Sequence, residues 1–334
     1  MGQALGPGST GGVRLAELGE DALLAHILPL LTSAAAGGVL IGPGDDTALV
    51  QTAGSVLATT DALVRGRDWL DEWSTGADVG AKAVAQNVAD IAAMGGTATA
   101  LLVTLVADPQ MRLAWALDLA GGLAAAARDA AVPVVGGDLS SAPAGVVVVS
   151  VTALGTLGGR APVCRSGARE GDVVAVAGGL GRSAAGLLLL QAGRTGERAD
   201  LTGYHRRPRP PYEQGPLAAL AGATAMIDVS DGLVRDGARV ARASGVSLAL
   251  EWGPLADLAA ALGPELTPAQ ARACVLGGGE EHSLLACFGP GARLPPGWRV
   301  IGSVAERDSG ADGARGVTVD GQLPGNLGWD HFGG

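Results

Sequence analysis

Segments typical of β-strands alternate with segments typical of α-helices along most of this chain, and that alternation restricts the fold more than any other feature. Helical and strand-like apolar patterns follow one another over 79–94, 100–106, 111–130 and 132–135. A further strand is predicted over 146–154. Alternation of this kind indicates an α/β protein, in which helices cover a sheet.

A stretch rich in Gly and Pro around Gly158 interrupts this pattern, and a second series of strands and helices begins at 172–177. A chain of 334 residues with 48% hydrophobic content is long enough for two cores. We therefore predict a flexible arm over 1–12, an N-terminal domain over 13–158 and a C-terminal α/β domain over 159–334.

Composition excludes several classes of protein. The longest apolar runs are too short to span a bilayer, and the start has no signal-peptide pattern, so we expect a cytoplasmic location. The three cysteines form no C-x-x-C pair, which argues against a disulfide framework or a zinc site. The net charge is −10 and Lys82 is the only lysine, which argues against a nucleic-acid partner. The same lysine count excludes a P-loop.

Aspartates recur beside Gly and Thr at the ends of predicted strands. Five groups stand out: Asp45-Asp46, Asp61, Asp90, Asp138 and Asp228 with Asp231. Each alone has an ordinary alternative, since aspartate is common at helix N-caps, in turns and on exposed helix faces. Together they match the requirement of Mg²⁺, which is bound by a few carboxylates and by substrate phosphates.

Two further local patterns lead to expectations. The strand-like runs 47–50 and 56–60 flank Ala53-Gly54, and a hairpin with that turn would place Asp46 opposite Asp61. Such a pair of like charges requires a cation between them. The glycine-rich turn 178–183 could cradle a phosphate at a helix N-terminus, although such turns often only allow close packing.

Eight short motifs follow one another along the chain. They are GPGDD (42–46), TTDALVRGRDW (59–69), NVADIAAMG (87–95), GGD (136–138), RSGAREGDVV (165–174), IDVSDGL (227–233), GGEEH (278–282) and GWDHF (328–332). In this order the chain resembles the thiamine-monophosphate kinase family, which belongs to the superfamily of aminoimidazole ribonucleotide synthetase. The resemblance implies a two-domain α/β fold of α+β type, whose N-terminal sheet pairs across a homodimer. It also implies ATP-dependent phosphorylation of thiamine monophosphate to thiamine diphosphate.

The resemblance assigns roles position by position. The implied ligands of several Mg²⁺ ions are Asp46, Thr59, Thr60, Asp61, Asp90, Asp138, Asp228 and Asp231. The implied ATP contacts are Gly137, Asp138, Arg165 and Ser230. The implied catalytic residues are Asp46, Asp138, Arg165 and Asp231. The implied contacts to the acceptor substrate are Asp68, Glu280 and Trp329.

The chain departs from the family at three points. Asp68 stands where the family usually has a substrate-contacting His, and Glu281 where a GGED-like motif has Asp. The GGD motif is followed by Leu-Ser rather than Thr. An ionised Asp68 would repel a phosphate. Either Asp68 turns away and a neighbour such as Arg65, Arg67 or Trp69 contacts the phosphate, or the acceptor binds weakly; we favour Arg67, because a guanidinium can hold phosphate through two hydrogen bonds.

Alternatives within the superfamily stay open at this point. A selenophosphate synthetase usually carries an early Cys or selenocysteine, and a hydrogenase-maturation ATPase ends in a reactive Cys; this sequence has neither, and Cys164 is its first cysteine. A catalytically impaired nucleotide-binding homologue is the alternative from another class.

Overall fold

The computed structural model describes residues 12–18, 20–31, 39–41, 49–52, 54–307, 316–325 and 328. Apart from Gly12, the predicted arm therefore lies outside the described residues. The chain divides into two compact units, one formed by Met1–Val88 with Ala98–Thr156 and the other by Ala89–Thr97 with Leu157–Gly334.

The first unit carries a four-stranded sheet and its helices. Its elements are α1 (Leu15–Leu18), α2 (Glu20–Leu31), β1 (Val39–Ile41), β2 (Leu49–Val50), β3 (Val56–Val64), most of α3 (Gly76–Ala93), β4 (Thr97–Ala107), α4 (Leu113–Asp129), β5 (Val134–Ser141) and β6 (Val147–Thr156). The strand order is β3-β6-β4-β5, with β3 antiparallel to β6 and β4 parallel to β5. Alternate residues of β6 are buried, so one face of the sheet supplies the core.

The predicted hairpin is wrong for the described residues. Strand β2 pairs with β1, so that Val50 lies opposite Val39, and these two strands form a separate small sheet. Strand β3 pairs instead with β6, and Asp61 lies opposite Val151. Pairing with the long, half-buried strand β6 gives β3 more hydrogen bonds than pairing with the two-residue strand β2 would. The sequence of the turn alone does not show which partner is favoured.

The second unit contains a six-stranded sheet between layers of helices. Its elements are β7 (Val173–Ala177), α5 (Arg182–Gln191), α6 (Ala199–Arg206), α7 (Gln214–Leu220), β8 (Ala223–Val229), α8 (Leu233–Ser244), β9 (Ser247–Leu250), α9 (Trp252–Ala261), α10 (Pro268–Gly277), β10 (Ser283–Phe288), β11 (Trp298–Ala305) and β12 (Val317–Val319). The strand order is β12-β9-β11-β7-β10-β8. Among the described strands of this sheet, β12 and β9 form a parallel pair, and the other pairs are antiparallel.

Both faces of this sheet are covered. On one face Val174 and Val176 of β7 belong to a large cluster with residues of α5, α8, α9 and α10. On the other face Ala175 belongs to a smaller cluster with Phe288 and with Ala218 of α7. Burial on both sides explains why β10 is apolar from Leu284 to Phe288 rather than alternating. The mixture of helices and strands in both units confirms the expected fold class.

Within the described residues, no helix is both long enough and apolar enough to cross a membrane.

Candidate active site

The predicted site residues are distributed over both units. Those of the first unit are Thr59, Thr60, Asp61, Asp68, Gly137 and Asp138. Those of the second are Asp90, Arg165, Asp228, Ser230, Asp231 and Glu280. Asp46 and Trp329 lie outside the described residues, so their roles stay predictions.

Strand β3 places Asp61 beside a buried asparagine of α3. The backbone N–H of Asp61 donates to Oδ1 of Asn87 at 3.1 Å, and Nδ2 of Asn87 donates to the carbonyl of Ala83 at 2.8 Å. Asn87 has no exposed surface, so its amide cannot exchange these partners for water. The hydroxyl of Thr60 donates to the carbonyl of Val151 on β6 at 3.1 Å. The Thr59–Asp61 segment is therefore held from the strand beside it and from the helix.

The GGD motif lies inside β5 rather than after a strand that ends at residue 135, as the sequence suggested. Gly137 pairs with Val103 of β4, and a Cβ at Gly137 would lie 1.8 Å from the carbonyl oxygen of Val103. Only glycine allows this approach. The next side chain, Asp138, is exposed, and its Oδ2 accepts a hydrogen bond from Ser140 at 2.8 Å.

An apolar cavity of about 180 Å³ adjoins this motif within the first unit. Side chains of α2, α4 and β4 line it, and Gly136, Gly137 and Asp138 form part of its wall. The cavity thus combines apolar sides with one carboxylate at the wall.

Asp68 is turned back toward its own strand. Its Oδ2 accepts the backbone N–H of Val64 at 2.6 Å, so this oxygen closes the turn after β3. Arg65 forms an ion pair with Asp71. Arg67 is exposed and forms no ion pair or side-chain hydrogen bond with another described residue. Of the two arginines, Arg67 is the one available to a ligand.

In the second unit, Asp228 lies near the end of β8 and contacts a histidine. Nδ1 of His282 is 3.0 Å from Oδ2 of Asp228, and the two side chains are 8% and 5% exposed. Burial lowers the pKa of His282, but the hydrogen bond with Asp228 and the charges of Asp228, Glu280 and Asp90 outweigh it and raise that pKa. Asp228 is therefore a buried carboxylate with a built-in hydrogen-bond donor.

Asp231 follows in the turn before α8 and is held by an arginine of that helix. Nη2 of Arg239 donates to Oδ2 of Asp231 at 2.5 Å, and the other Arg239 nitrogen pairs with Asp236. The backbone N–H groups of Asp231 and Gly232 donate to Oδ2 of Asp236 at 2.8 and 3.1 Å. The side chain of Asp231 is thus not the N-cap of α8, and the ordinary alternative for this residue is not observed.

Asp236 itself is fully buried. Burial raises its pKa to about 7, and the nearby charges of Asp228 and Asp231 add to that effect. The backbone N–H of Asp231 and the guanidinium of Arg239 act in the opposite direction.

The segment Glu280 to His282 connects these groups to the glycine-rich turn. Glu280 and His282 have φ values of 61° and 52°, a conformation that side chains rarely adopt. Their N–H groups donate to the carbonyls of Ser230 and Val229 at 2.8 and 2.9 Å, which ties the segment to the end of β8. Oε2 of Glu280 lies 3.4 Å from Nδ1 of His205.

Glu281 has no exposed surface and occupies the N-terminus of α5. Its Oε1 accepts the backbone N–H of Ser183 at 2.6 Å, while its Oε2 has no hydrogen-bond partner among the described residues. Burial raises the pKa of Glu281 to about 8. Because a carboxylate of the chain already takes this backbone donor, the suggestion that turn 178–183 cradles a phosphate is not supported.

Arg165 and Ser230 complete the predicted nucleotide contacts. The side chain of Arg165 is exposed, while its carbonyl accepts the hydroxyl of Ser244 in α8 at 2.9 Å. Ser230 is half-buried, and a Cβ at Gly279 would lie 2.3 Å from its carbonyl oxygen. Gly279 is thus required for the 280–282 segment to lie against the end of β8.

The sequence interpretation missed several residues that hold these side chains: Asn87, His205, Asp236, Arg239 and His282. One signal was present, since Asp231, Arg235 and Arg239 recur every four residues, as ion pairs along one helix face do. No local signal marks His282, because its partner lies 54 positions away.

The donor set fits a hard divalent cation. The predicted ligands in the described residues offer carboxylate and hydroxyl oxygens, which Mg²⁺ prefers. No group of three or more His, Cys, Asp or Glu side chains among the described residues is arranged to hold a metal by itself. Mg²⁺ commonly uses one or two carboxylates together with water and substrate phosphates, so the set suits an ion that binds with a nucleotide.

Both halves of the chain match models of known protein domains. Residues 44–157 match the family model "AIR synthase related protein, N-terminal domain", and residues 169–311 match "AIR synthase related protein, C-terminal domain". Thiamine-monophosphate kinase of Mycobacterium tuberculosis (strain ATCC 25618 / H37Rv) is 46% identical over 329 residues, which cover 96% of this chain and 93% of that protein. This chain therefore belongs to the thiamine-monophosphate kinase family.

Solved structures agree with that assignment. The crystal structure of thiamine-monophosphate kinase from Stenotrophomonas maltophilia K279a has a TM-score of 0.74 at 29% identity, covering 91% of this chain and 96% of that one. AaThiL complexed with AMPPCP and TMP has a TM-score of 0.73 at 31% identity, covering 96% and 99%.

Proposed function

We propose that this chain transfers the terminal phosphoryl group of ATP to thiamine monophosphate, forming ADP and thiamine diphosphate with the help of Mg²⁺. The observation that carries the proposal is the 46% identity to a thiamine-monophosphate kinase over almost the whole of both chains. The AaThiL structure adds that a similar protein binds AMPPCP and TMP together.

The chemistry requires charge neutralisation more than proton transfer. A phosphate monoester has a second pKa near about 6, so its oxygen is already an anion at neutral pH and needs no general base. The obstacle is repulsion between the two anionic substrates. When bound, Mg²⁺ would supply positive charge to the phosphates. The residues that the family resemblance assigns to several such ions are Asp46, Thr59, Thr60, Asp61 and Asp138 of the first unit and Asp90, Asp228 and Asp231 of the second.

For the nucleotide, the cavity beside the GGD motif supports an ATP site in the first unit. Its apolar walls suit a flat base, and Gly137 and Asp138 at its wall are the residues that the family resemblance places on ATP. Arg165, which forms no ion pair with another described residue, would contribute a positive charge from the second unit.

For the acceptor, Glu280 and Trp329 would contact the thiamine moiety and Arg67 its phosphate. The inward turn of Asp68 supports the role of Arg67, because the carboxylate that would repel a phosphate is engaged with the backbone of Val64.

The chain would act as a homodimer in the cytoplasm. Strand β3 is the last strand of its sheet among the described residues, and Val56 and Val64 on it are 45% and 37% exposed. Natural proteins cover such edges, and a second subunit would do so. Light scattering at micromolar concentration should give twice the mass of the chain, and a monomer would contradict the dimer.

The decisive experiment is a product assay on the full chain. With ATP, Mg²⁺ and thiamine monophosphate, chromatography should show thiamine diphosphate and ADP in equal amounts, and unphosphorylated thiamine should not replace the acceptor. Release of ADP that does not depend on thiamine monophosphate would favour another ATP-using member of the superfamily. Absence of thiamine diphosphate at saturating substrates would refute the proposal.

A further inference from the structure

His282 is a buried side chain whose position the proposed chemistry leaves unexplained. It lies directly before β10, and its imidazole and the carboxylate of Asp228 are nearly inaccessible to water. Mg²⁺ prefers oxygen to imidazole nitrogen, so His282 is an unsuitable ligand for the proposed ion. Its role must lie in its contact with Asp228.

The backbone holds the imidazole in place relative to Asp228. The N–H of His282 donates to the carbonyl of Val229 at 2.9 Å, and two positions later Leu284 pairs directly with Asp228 across the sheet. His282 itself precedes β10, so its hydrogen bond to Val229, the neighbour of Asp228 in β8, is what holds it beside that carboxylate.

The backbone of His282 has a positive φ. Its φ of 52° lies in the left-handed region, where residues other than glycine are uncommon and tend to cluster at functional sites. In this conformation Nδ1 lies 3.0 Å from Oδ2 of Asp228. The strained backbone and the hydrogen bond thus occur at the same residue.

A carboxylate that binds a metal through one oxygen is commonly oriented by a hydrogen bond to the other. An Asp228 with Oδ2 occupied by an N–H group retains Oδ1 for a cation. We propose that His282 is a positioning residue for metal binding, whose Nδ1–H holds Oδ2 of Asp228 and leaves Oδ1 for the divalent ion. This inference rests on the proposed function only in that Asp228 is a metal ligand.

Two substitutions at position 282 separate the hydrogen bond from the backbone. His282→Asn places its side-chain amide at the same number of bonds from Cα as Nδ1, and asparagine tolerates positive φ. His282→Gly tolerates positive φ as well but has no donor. The two variants therefore differ in whether they carry a side-chain hydrogen-bond donor, while both tolerate the positive φ of residue 282. His26→Asn, in α2 of the first unit, is the matched control.

The readout is binding of Mn²⁺ to the full chain, measured by electron paramagnetic resonance with ADP present. His282→Gly should weaken binding by about 10- to 100-fold, the usual effect of losing a group that orients a metal ligand. His282→Asn should stay within about threefold of the parent chain, a difference well below the tenfold step of 1.4 kcal/mol. Equal loss in the two variants, or no loss in His282→Gly, would overturn the proposal.

A double-mutant cycle tests whether His282 acts through Asp228. Asp228→Asn should itself weaken Mn²⁺ binding, and adding His282→Gly to it should weaken binding little further. Additive effects would mean that His282 acts elsewhere. If His282→Gly does not fold, His282→Ala takes its place in the cycle, because it also lacks a donor.

The outcome is independent of the product assay. A chain that makes no thiamine diphosphate but shows the Asn–Gly difference would refute the proposed function and retain the positioning role. If the chain makes thiamine diphosphate but Asp228→Asn binds Mn²⁺ normally, the proposed function is retained and the positioning role is refuted.

Discussion

Two carboxylates assigned to the same chemistry stand in opposite surroundings. Asp138 of the first unit is exposed, and its carboxylate accepts a hydrogen bond from the hydroxyl of Ser140. Asp228 of the second unit is 4% exposed and is paired with His282. An exposed carboxylate needs no support from the protein, whereas a buried one must be paired to remain charged. A substitution of Asp138 should therefore disturb the fold little, whereas a substitution of Asp228 should disturb it.

Substitution of Asp138 should have the largest effect on activity and almost none on folding. Asp138→Asn keeps the shape and removes the charge, so kcat should fall on the order of 10²-fold or more. The free energy of unfolding should change by less than about 0.5 kcal/mol, as at other surface sites. Product chromatography and chemical denaturation measure the two. Asp129→Asn, another exposed carboxylate of the first unit, should leave both unchanged, and a clear loss of stability in Asp138→Asn would break the contrast.

Substitution of Asp228 should affect both activity and the free energy of unfolding. Asp228→Ala leaves a buried donor of His282 without its partner, which should lower the free energy of unfolding by about 1–3 kcal/mol. Asp257→Ala is the matched control, because Asp257 also belongs to an ion pair but is 77% exposed. Such exposed pairs contribute only about 0–1 kcal/mol. Denaturation curves that show equal losses for the two variants would mean that burial is not what distinguishes Asp228.

Arg239 of the second unit and Arg67 of the first also differ in how far the protein engages them. Arg239 is held by Asp231 and Asp236, whereas Arg67 has no ion pair with a described residue. Arg67→Ala should therefore raise the KM for thiamine monophosphate about tenfold, equivalent to 1.4 kcal/mol, with no loss of stability. Steady-state kinetics decide this. An unchanged KM in Arg67→Ala, together with a tenfold lower KM in Asp68→His, would show that the loss of the family histidine is not compensated.

A further difference between the units concerns the pH dependence of stability. Burial raises the pKa of Glu281 to about 8, above its ordinary value of 4.5, so the folded chain holds this proton more tightly than the unfolded chain. The resulting stabilisation is complete below pH 4.5 and is lost as the pH rises through 8, by at most about 1.4 kcal/mol per pH unit. Glu281→Gln should therefore gain stability relative to the parent chain at pH 8 compared with pH 5.

Denaturation at these two pH values checks the sign. The exposed Glu213→Gln should show the same difference from the parent chain at both values. An equal difference for Glu281→Gln would contradict a protonated Glu281 in the folded chain.

Most of the fold was predictable because its helices and strands have local signals. The helix expected over 79–94 is α3, and the strand expected over 100–106 lies within β4. Hydrophobic periodicity and glycine at element ends report such features within a few residues. The pairing of strands was harder to predict from the sequence, since β2 was expected beside β3 but pairs with β1. A choice between partners depends on the energy of the whole sheet, which no local pattern contains.

The candidate site shows the same division. The sequence by itself determined which residue types are available, including the aspartates Asp61, Asp138, Asp228 and Asp231, and it determined the family through the order of the motifs. Only the tertiary structure decided the surroundings of each carboxylate: that Glu281 occupies the N-terminus of α5, and that His282 contacts Asp228. The physical reason is that burial and hydrogen bonding arise from segments far apart in the chain, and these contacts set charge, orientation and pKa.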